Sequence, residues 1–459
     1  MNLARASETA TRRALRVAPT PLLAAGLVLG GAACSNAGLV AHYQTLRPAM
    51  VRGDWPTASA QMEKAKENPY GEKDRVMYWL NLGTALHYAQ AYDQSQANLV
   101  KAEEAMQDLW TKSISAEASK LFVNETAQSY PGEDFEQILV YLYTALNQAQ
   151  AGKLQDALVE ARRADEKLKK MLVVFDKEGG LGTVYKQDAF MLWMIGLLYE
   201  LEGSYNDAFI TYRAAQQAYD KEYRGSFGAP APSFLAEDLL RTATLAGMAQ
   251  DAADARAAGA LGDTAAMLKT HGELIVVHGN GEAPSKRELF FDGRMPDGYV
   301  MRIAIPQFVY TAPRTAYADV SVDGVSARTE LAEPVAPIVL KNFELRLPGI
   351  KARALARAIT KYATTQVAKA AGGGDKSTAG AILGLIGNIA AAVTEAADLR
   401  SWCMLPSEFR VARLWLPPGT HAVQVEYRDA SGRSVGAPQT INVELSAGQR
   451  RLVSVRSVL

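Results

Sequence analysis

Trp79-Leu80-Asn81-Leu82-Gly83-Thr84-Ala85-Leu86, followed by Tyr92, Ser95, Leu99 and Ala102, is the stretch on which the fold turns. An aromatic residue, a Leu, a Gly and a second large residue recur at helical spacing, and small residues with one bulky one mark a second helix. A second copy runs Leu192, Ile195, Gly196, Tyr199, Gly203, Tyr205, Ala208, Tyr212, Ala215. A third runs Tyr141, Ala145, Gly152, Leu154, Ala157, Ala161, Ala164, and a fourth has Gly53, Asp54, Trp55, Ala58, Met62, Ala65 and Pro69. Small residues let the two helices of a hairpin approach closely, glycine permits the tight turn, and aromatics fill the space between hairpins. No unit of this kind buries its own apolar face, so the units must stack.

These landmarks resemble the tetratricopeptide (TPR) repeat, which predicts a TPR-like α-helical solenoid over residues 34–260. The competing reading is a generic helical bundle with Ala-rich faces. The turn positions Gly53, Gln90, Gly152 and Gly203 are 37, 62 and 51 residues apart, against about 34 in a regular array. The excess falls at Leu109–Pro131, read as an extra helix plus loop, and around the loop Lys177–Gly182. Such inserts offer a binding surface. A hairpin from Pro232 to about Gly259 caps the array.

From Gly272 the period becomes strand-like. Candidate strands are Glu273–His278, Glu288–Phe291, Tyr299–Ile305 and Ala318–Val322 in a β-rich segment over 270–345. Phe409–Trp415, Ala422–Tyr427, Gln439–Leu445 and Arg451–Val455 lie in a C-terminal β-rich segment over 400–459. The expected product is a small antiparallel β domain whose strands come from both segments, so the fold class is α+β. A helical insertion over 350–398 separates them. Ile350–Ala371 is basic and amphipathic. Thr378–Ala397 carries Gly380, Gly384 and Gly387 in an apolar core, 379–393, too short for the ~20 residues that span a bilayer; glycine at this spacing permits close helix packing.

Residues 1–33 read as a lipoprotein signal peptide. Arg5, Arg12, Arg13 and Arg16 form a basic start, Pro21–Gly30 is apolar, and Gly31, Ala32 and Ala33 lead into Cys34. Small residues before a Cys resemble a lipobox, although Gly31 stands where Leu is usual, and Cys34 is the predicted lipidation site. Ser35 stands where an inner-membrane lipoprotein of enterobacterial type would have Asp, so the resemblance implies an outer-membrane lipid anchor facing the periplasm. The 459 residues hold 49 basic and 49 acidic side chains; removing four Arg and one Glu with the signal leaves 45 and 48, net −3. No basic excess favours nucleic acid. Lipidation leaves Cys403 as the one thiol, which suits an oxidising compartment if it is buried or inert.

Motifs for chemistry are nearly absent. Gly374-Asp375-Lys376-Ser377 echoes a P-loop, with Asp375 where Gly is required. No HExxH, GxSxG or GxGxxG occurs. His271 and His278 flank a strand start without a shared ligand geometry. No catalytic residue, metal site or cofactor is expected, and the chain reads as no enzyme. Ala397-Asp398-Leu399-Arg400-Ser401-Trp402, Leu405-Pro406, Ala412-Arg413-Leu414 and Leu416-Pro417-Pro418-Gly419, with the signal and repeats, resemble an uncharacterised family of proteobacterial TPR-containing lipoproteins. That resemblance implies a periplasmic scaffold for protein partners in envelope assembly or peptidoglycan maintenance. The alternative is an oligomer-forming or membrane-active export component using helix 379–393. Partner identity and oligomeric state are open.

Overall fold

The computed structural model describes residues 38–115, 128–177, 186–260, 262, 264–371 and 395–459. The signal, Cys34, the P-loop echo and helix 379–393 lie outside these residues, as do most of the Leu109–Pro131 and Lys177–Gly182 inserts. The chain is a mixed structure of helices and several sheets.

A helix over 38–51 (α1) and α2 (Trp55–Glu63) open the described chain. Three hairpins follow: α3 (Arg75–Tyr88) with α4 (Tyr92–Ser115), α5 (Asp134–Gln150) with α6 (Leu154–Lys177), and α7 (Ala189–Leu201) with α8 (Tyr205–Ala218). A π turn, Tyr219–Tyr223, and the short α9 (Arg224–Phe227) lead to a last hairpin, α10 (Ser233–Leu245) with α11 (Ala249–Ala257), and to α12 (Thr264–Met267). From α2 to α8 each helix packs against the next in sequence, and α10 packs against α8 and α11. Leu109 belongs to α4, so the expected extra helix does not begin there.

The turn positions behave as their composition predicts. Gly53, Gln90, Gly152 and Gly203 all have positive φ, 72°, 61°, 78° and 80°, the left-handed region that reverses the chain after a helix. The landmark glycines inside helices serve close approach instead. A Cβ on Gly83 would lie 2.6 Å from Leu99 Cγ, and one on Gly196 would lie 2.6 Å from Tyr212 Cδ1. Ala208, Tyr212 and Ala215 are fully buried.

After α12 come β1 (Gly272–Asn280), β2 (Ser285–Arg294), β3 (Val300–Val309), β4 (Tyr317–Val322), β5 (Val325–Arg328) and β6 (Glu330–Glu333). Helix α13 (Val335–Ala371) precedes β7 (Glu408–Leu416), β8 (Gly419–Arg428), β9 (Gln439–Leu445) and β10 (Arg450–Ser457). Three sheets result, ordered β10-β1-β7-β6, β5-β4-β8-β9 and β2-β3. As expected, strands from both segments share sheets.

Two expectations need correction. The β part is not purely antiparallel, because β1 and β10 run parallel. The turn after β9 delivers the chain to the end of the sheet where β1 begins, with Glu273 N donating to Gln449 O at 2.8 Å and Gly448 N to His271 O at 3.0 Å. Two strands entering from one end must run the same way. The inserted helix also starts at Val335, inside the span assigned to strands. Val335, Ile338, Val339 and Asn342 are buried at the spacing of one helix face.

Gly196→Ala should destabilise the protein by about 1–3 kcal/mol, because the Tyr212 ring it would strike is fully buried and its hydroxyl donates to Glu200 at 2.9 Å. Equilibrium urea unfolding checks this; an unchanged midpoint would contradict the close-approach role.

Candidate functional site

The face made by the first helices of the hairpins, which a TPR-like array would offer to a peptide, is covered by the chain's own β structure. Side chains alternate along a strand, and sheet β10-β1-β7-β6 uses both faces. Leu274, Val276, Ala412, Leu414 and Leu416 meet Val320, Val423, Val425 and Val443 of the second four-stranded sheet. Ile275, Val277, Phe409, Val411 and Leu452 join the core of α3, α5, α7 and α10. The order is therefore helices, sheet, sheet. This explains why α7, Ala-Phe-Met-Leu-Trp-Met-Ile-Gly-Leu-Leu over 189–198, is apolar all round.

Three acids and three arginines meet in that seam. Arg241 of α10 binds Glu200 of α7 with Nε–Oε1 at 2.6 Å and Nη2–Oε2 at 2.9 Å, and also pairs with Asp238. Arg413 of β7 joins Asp238 to Glu273 of β1, its Nε 2.6 Å from Glu273 Oε1. Arg450 of β10 closes the ring, 2.6 Å from Glu200 and 3.2 Å from Glu273. Glu200, Asp238, Arg241 and Glu273 have no side-chain exposure. Trp193 Nε1 donates to Asp238 at 2.9 Å. Burial works against ionising Glu200, but Arg241 and Arg450 hold its carboxyl well below the usual range. Charges this deep are tolerated because each is paired and hydrogen-bonded.

A second clasp is made by residues 395–407, which run over α3 and α5. Trp402 Nε1 donates to Thr84 at 2.9 Å, Met404 N to Asn81 at 3.2 Å, and Trp402 N to Glu136 at 2.6 Å. Arg400 reaches Asp74 at 2.9 Å. Glu136 also accepts from Tyr130 OH at 2.7 Å and caps α5 through Glu133 N at 2.9 Å. Burial first, then the Glu133 charge, push its carboxyl up to about 7.

Beside this clasp is a cavity of about 460 Å³ between α1, α3, the segment after β1 and the segment after β3, within the ~300–1,000 Å³ of small-ligand pockets. Tyr43 donates to Glu282, and Arg47 pairs with Glu282 at 3.1 Å. Cys403 lines this space, and its Sγ donates to Asn81 Oδ1 at 3.4 Å. Burial pushes its thiol up to about 12, so it is no thiolate nucleophile near neutral pH.

The expected lipidation site Cys34 lies outside the described residues, and the two histidines noted in the sequence have separate surroundings. His278 is buried beside Tyr427 and shares a hydrogen bond with Ser457 at 2.8 Å, while His271 bonds Thr270 outside the core. Among the described residues no group of three His, Cys, Asp or Glu could hold a metal ion, and no helix is long and apolar enough to cross a membrane. The seam charges were not anticipated. Their signal was Glu200 set inside the otherwise apolar α7, where a lone charge is too costly to bury.

No known protein family and no curated protein matches the chain. Among solved structures, the apo form of RapI is similar at 12% identity and a TM-score of 0.33, covering 48% of this chain and 51% of that one. The chain thus spans about half the length of that protein.

Arg241→Met should leave Glu200 and Asp238 short of a buried partner and cost about 3–5 kcal/mol, read as a lower urea midpoint. Glu136 predicts a pH effect of definite sign. Its folded pKa lies above the ordinary 4.5, so its contribution is fully present below that value and lost as pH rises through about 7. The stability of wild type relative to Glu136→Gln should therefore fall between pH 4.5 and 7.5; a constant difference would contradict the assignment.

Proposed function

We propose that this protein is a non-enzymatic scaffold, lipid-anchored through Cys34 to the outer membrane and facing the periplasm, which engages a protein partner of the cell envelope in assembly or peptidoglycan maintenance. The helical hairpins are divergent TPR-type units. Support comes from landmark residues that pack as such units require, Gly83 on Leu99 and Gly196 on Tyr212, and from four left-handed turns at the repeat positions.

The observation that carries the scaffold reading is the closed seam. With the first-helix face occupied by the chain's own sheet, a surface left for a partner among the described residues is the arm made by β2, β3 and α13. The arm is braced by Tyr299 against Tyr362 and Phe308 against Phe343, at ring distances of 5.0 and 5.1 Å. On α13, Leu355, Ile359 and Val367 are 45, 51 and 69% exposed at helical spacing, and Phe290 and Phe291 of β2 are also exposed. Residues 350–371 hold five basic side chains and no acid. Arg357 and Lys361 pair with Glu395 and Lys369 with Asp297, so it is the apolar strip that the face offers, and it suits a protein partner with a complementary apolar strip.

Two measurements test this reading. Metabolic labelling with a palmitate analogue should be lost in Cys34→Ala; equal labelling would remove the anchor. Ile359→Asp with Val367→Asp should abolish the protein's crosslinked species in intact envelopes while leaving its melting temperature unchanged, because both positions are exposed. Persistent crosslinks would remove the arm from the interface.

A further inference from the structure

We infer that the cavity beside α1 is a binding site for a single acyl chain. Its apolar wall is built by Leu39, Val40, Met77, Val309, Pro313 and Leu459. The charged groups and the thiol that reach it are, Arg314 aside, already engaged with the protein. Tyr43 and Arg47 are spent on Glu282. The Cys403 thiol is bonded to Asn81, and Lys286 pairs with Glu133 and donates to Arg400 O at 3.0 Å. A charged ligand such as a nucleotide would find no free charged partner within these walls, only the side chains of Gln44, Ser285, Thr311 and Ser401, and would lose its hydration for little return. An alkyl chain loses nothing by entering and gains with each methylene withdrawn from water.

The mouth adds direction. Arg314 is exposed at the rim and its side chain makes no ion pair among the described residues, so it is placed to meet an anionic headgroup while the tail lies inside. Leu39 and Val40 of the wall follow Cys34 by five and six residues in sequence. At a maximum of ~3.3–3.6 Å per extended residue, a chain carried on Cys34 starts within about 20 Å of the cavity. The acyl chain therefore has two sources of the same chemistry, the protein's own N-terminal lipid or a lipid or fatty acid of the membrane. The cavity itself does not depend on the lipidation proposal; only the first source does.

The test is a titration with a fluorescent fatty acid, cis-parinaric acid, of the full chain carrying Cys34→Ala, of that chain with Ala312→Trp added, and of the wild type whose lipidation state is read by mass spectrometry. Ala312 is exposed on the cavity wall, so tryptophan there fills space without entering the core. The Cys34→Ala chain should bind saturably at one site per molecule, with at least tenfold weaker binding when Ala312→Trp is present. Bound fatty acid should also slow alkylation of Cys403, then the sole thiol. No saturable binding to Cys34→Ala, or equal binding after Ala312→Trp, overturns the proposal. A lipidated wild type that fails to bind supports it with the N-terminal chain as occupant. One that binds as well as Cys34→Ala supports it with an external lipid. If mass spectrometry finds no lipid, the anchor reading fails while the titration still decides the cavity.

Discussion

Six charged side chains sealed between helices and sheet constrain everything else in this molecule. Glu200 comes from α7, Asp238 and Arg241 from α10, Glu273 from β1, Arg413 from β7 and Arg450 from β10. No one of them can be buried alone, because an unpaired charge in such a place is too costly. The three strands must therefore arrive in register against the two helices before any of the six is satisfied. Apolar packing alone would tolerate a sheet displaced along the helices; a closed ring of ion pairs tolerates far less. Tyr212 and Trp193 tie the ring to the repeat packing through Glu200 and Asp238, so the hairpin contacts and the seam support one another.

The seam also redirects function. An array of helical hairpins usually earns interest for the groove along its first helices. Here that surface is a core, and the extended segment 395–407 fills the stretch over α3 and α5 with Trp402, Met404 and Leu405, all buried. The outward features among the described residues include the arm of β2, β3 and α13, with Leu355, Ile359 and Val367 exposed, and the cavity beside α1. Both lie away from the six-charge ring, so a substitution in the ring alters the body of the protein, whereas one at Ile359 or Ala312 alters only what the body presents.

Buried acids divide by their partners. Glu200 faces two guanidinium groups and stays ionised, while Glu136 faces Tyr130, backbone amides and another acid, and Glu333 faces Tyr223 with Asp188 nearby. Glu333 is accordingly held well above the ordinary carboxylate range by burial. The same residue type thus serves the seam as a charge and the clasp as a hydrogen-bonding group whose ionisation is opposed, and only the surroundings distinguish the two.

Local pattern determined much of this. The helix-turn-helix units, the left-handed turns at Gly53, Gln90, Gly152 and Gly203, the close approach at Gly83 and Gly196, and eight of the ten strands among the described residues are all written in short spacings, because each depends on residues near in sequence. Strands β5 and β6 escaped notice since four residues carry too little alternation to read. Helix α13 begins at Val335, inside the expected β-rich span 270–345 and ahead of the expected start at Ile350, because the neighbours that bury one side of it are distant in the chain. The parallel pairing of β1 and β10, the covering of the first-helix face and the cavity beside α1 were decided by tertiary structure alone. Each joins residues more than 100 positions apart, and no local period records which distant surface a half-buried face will meet.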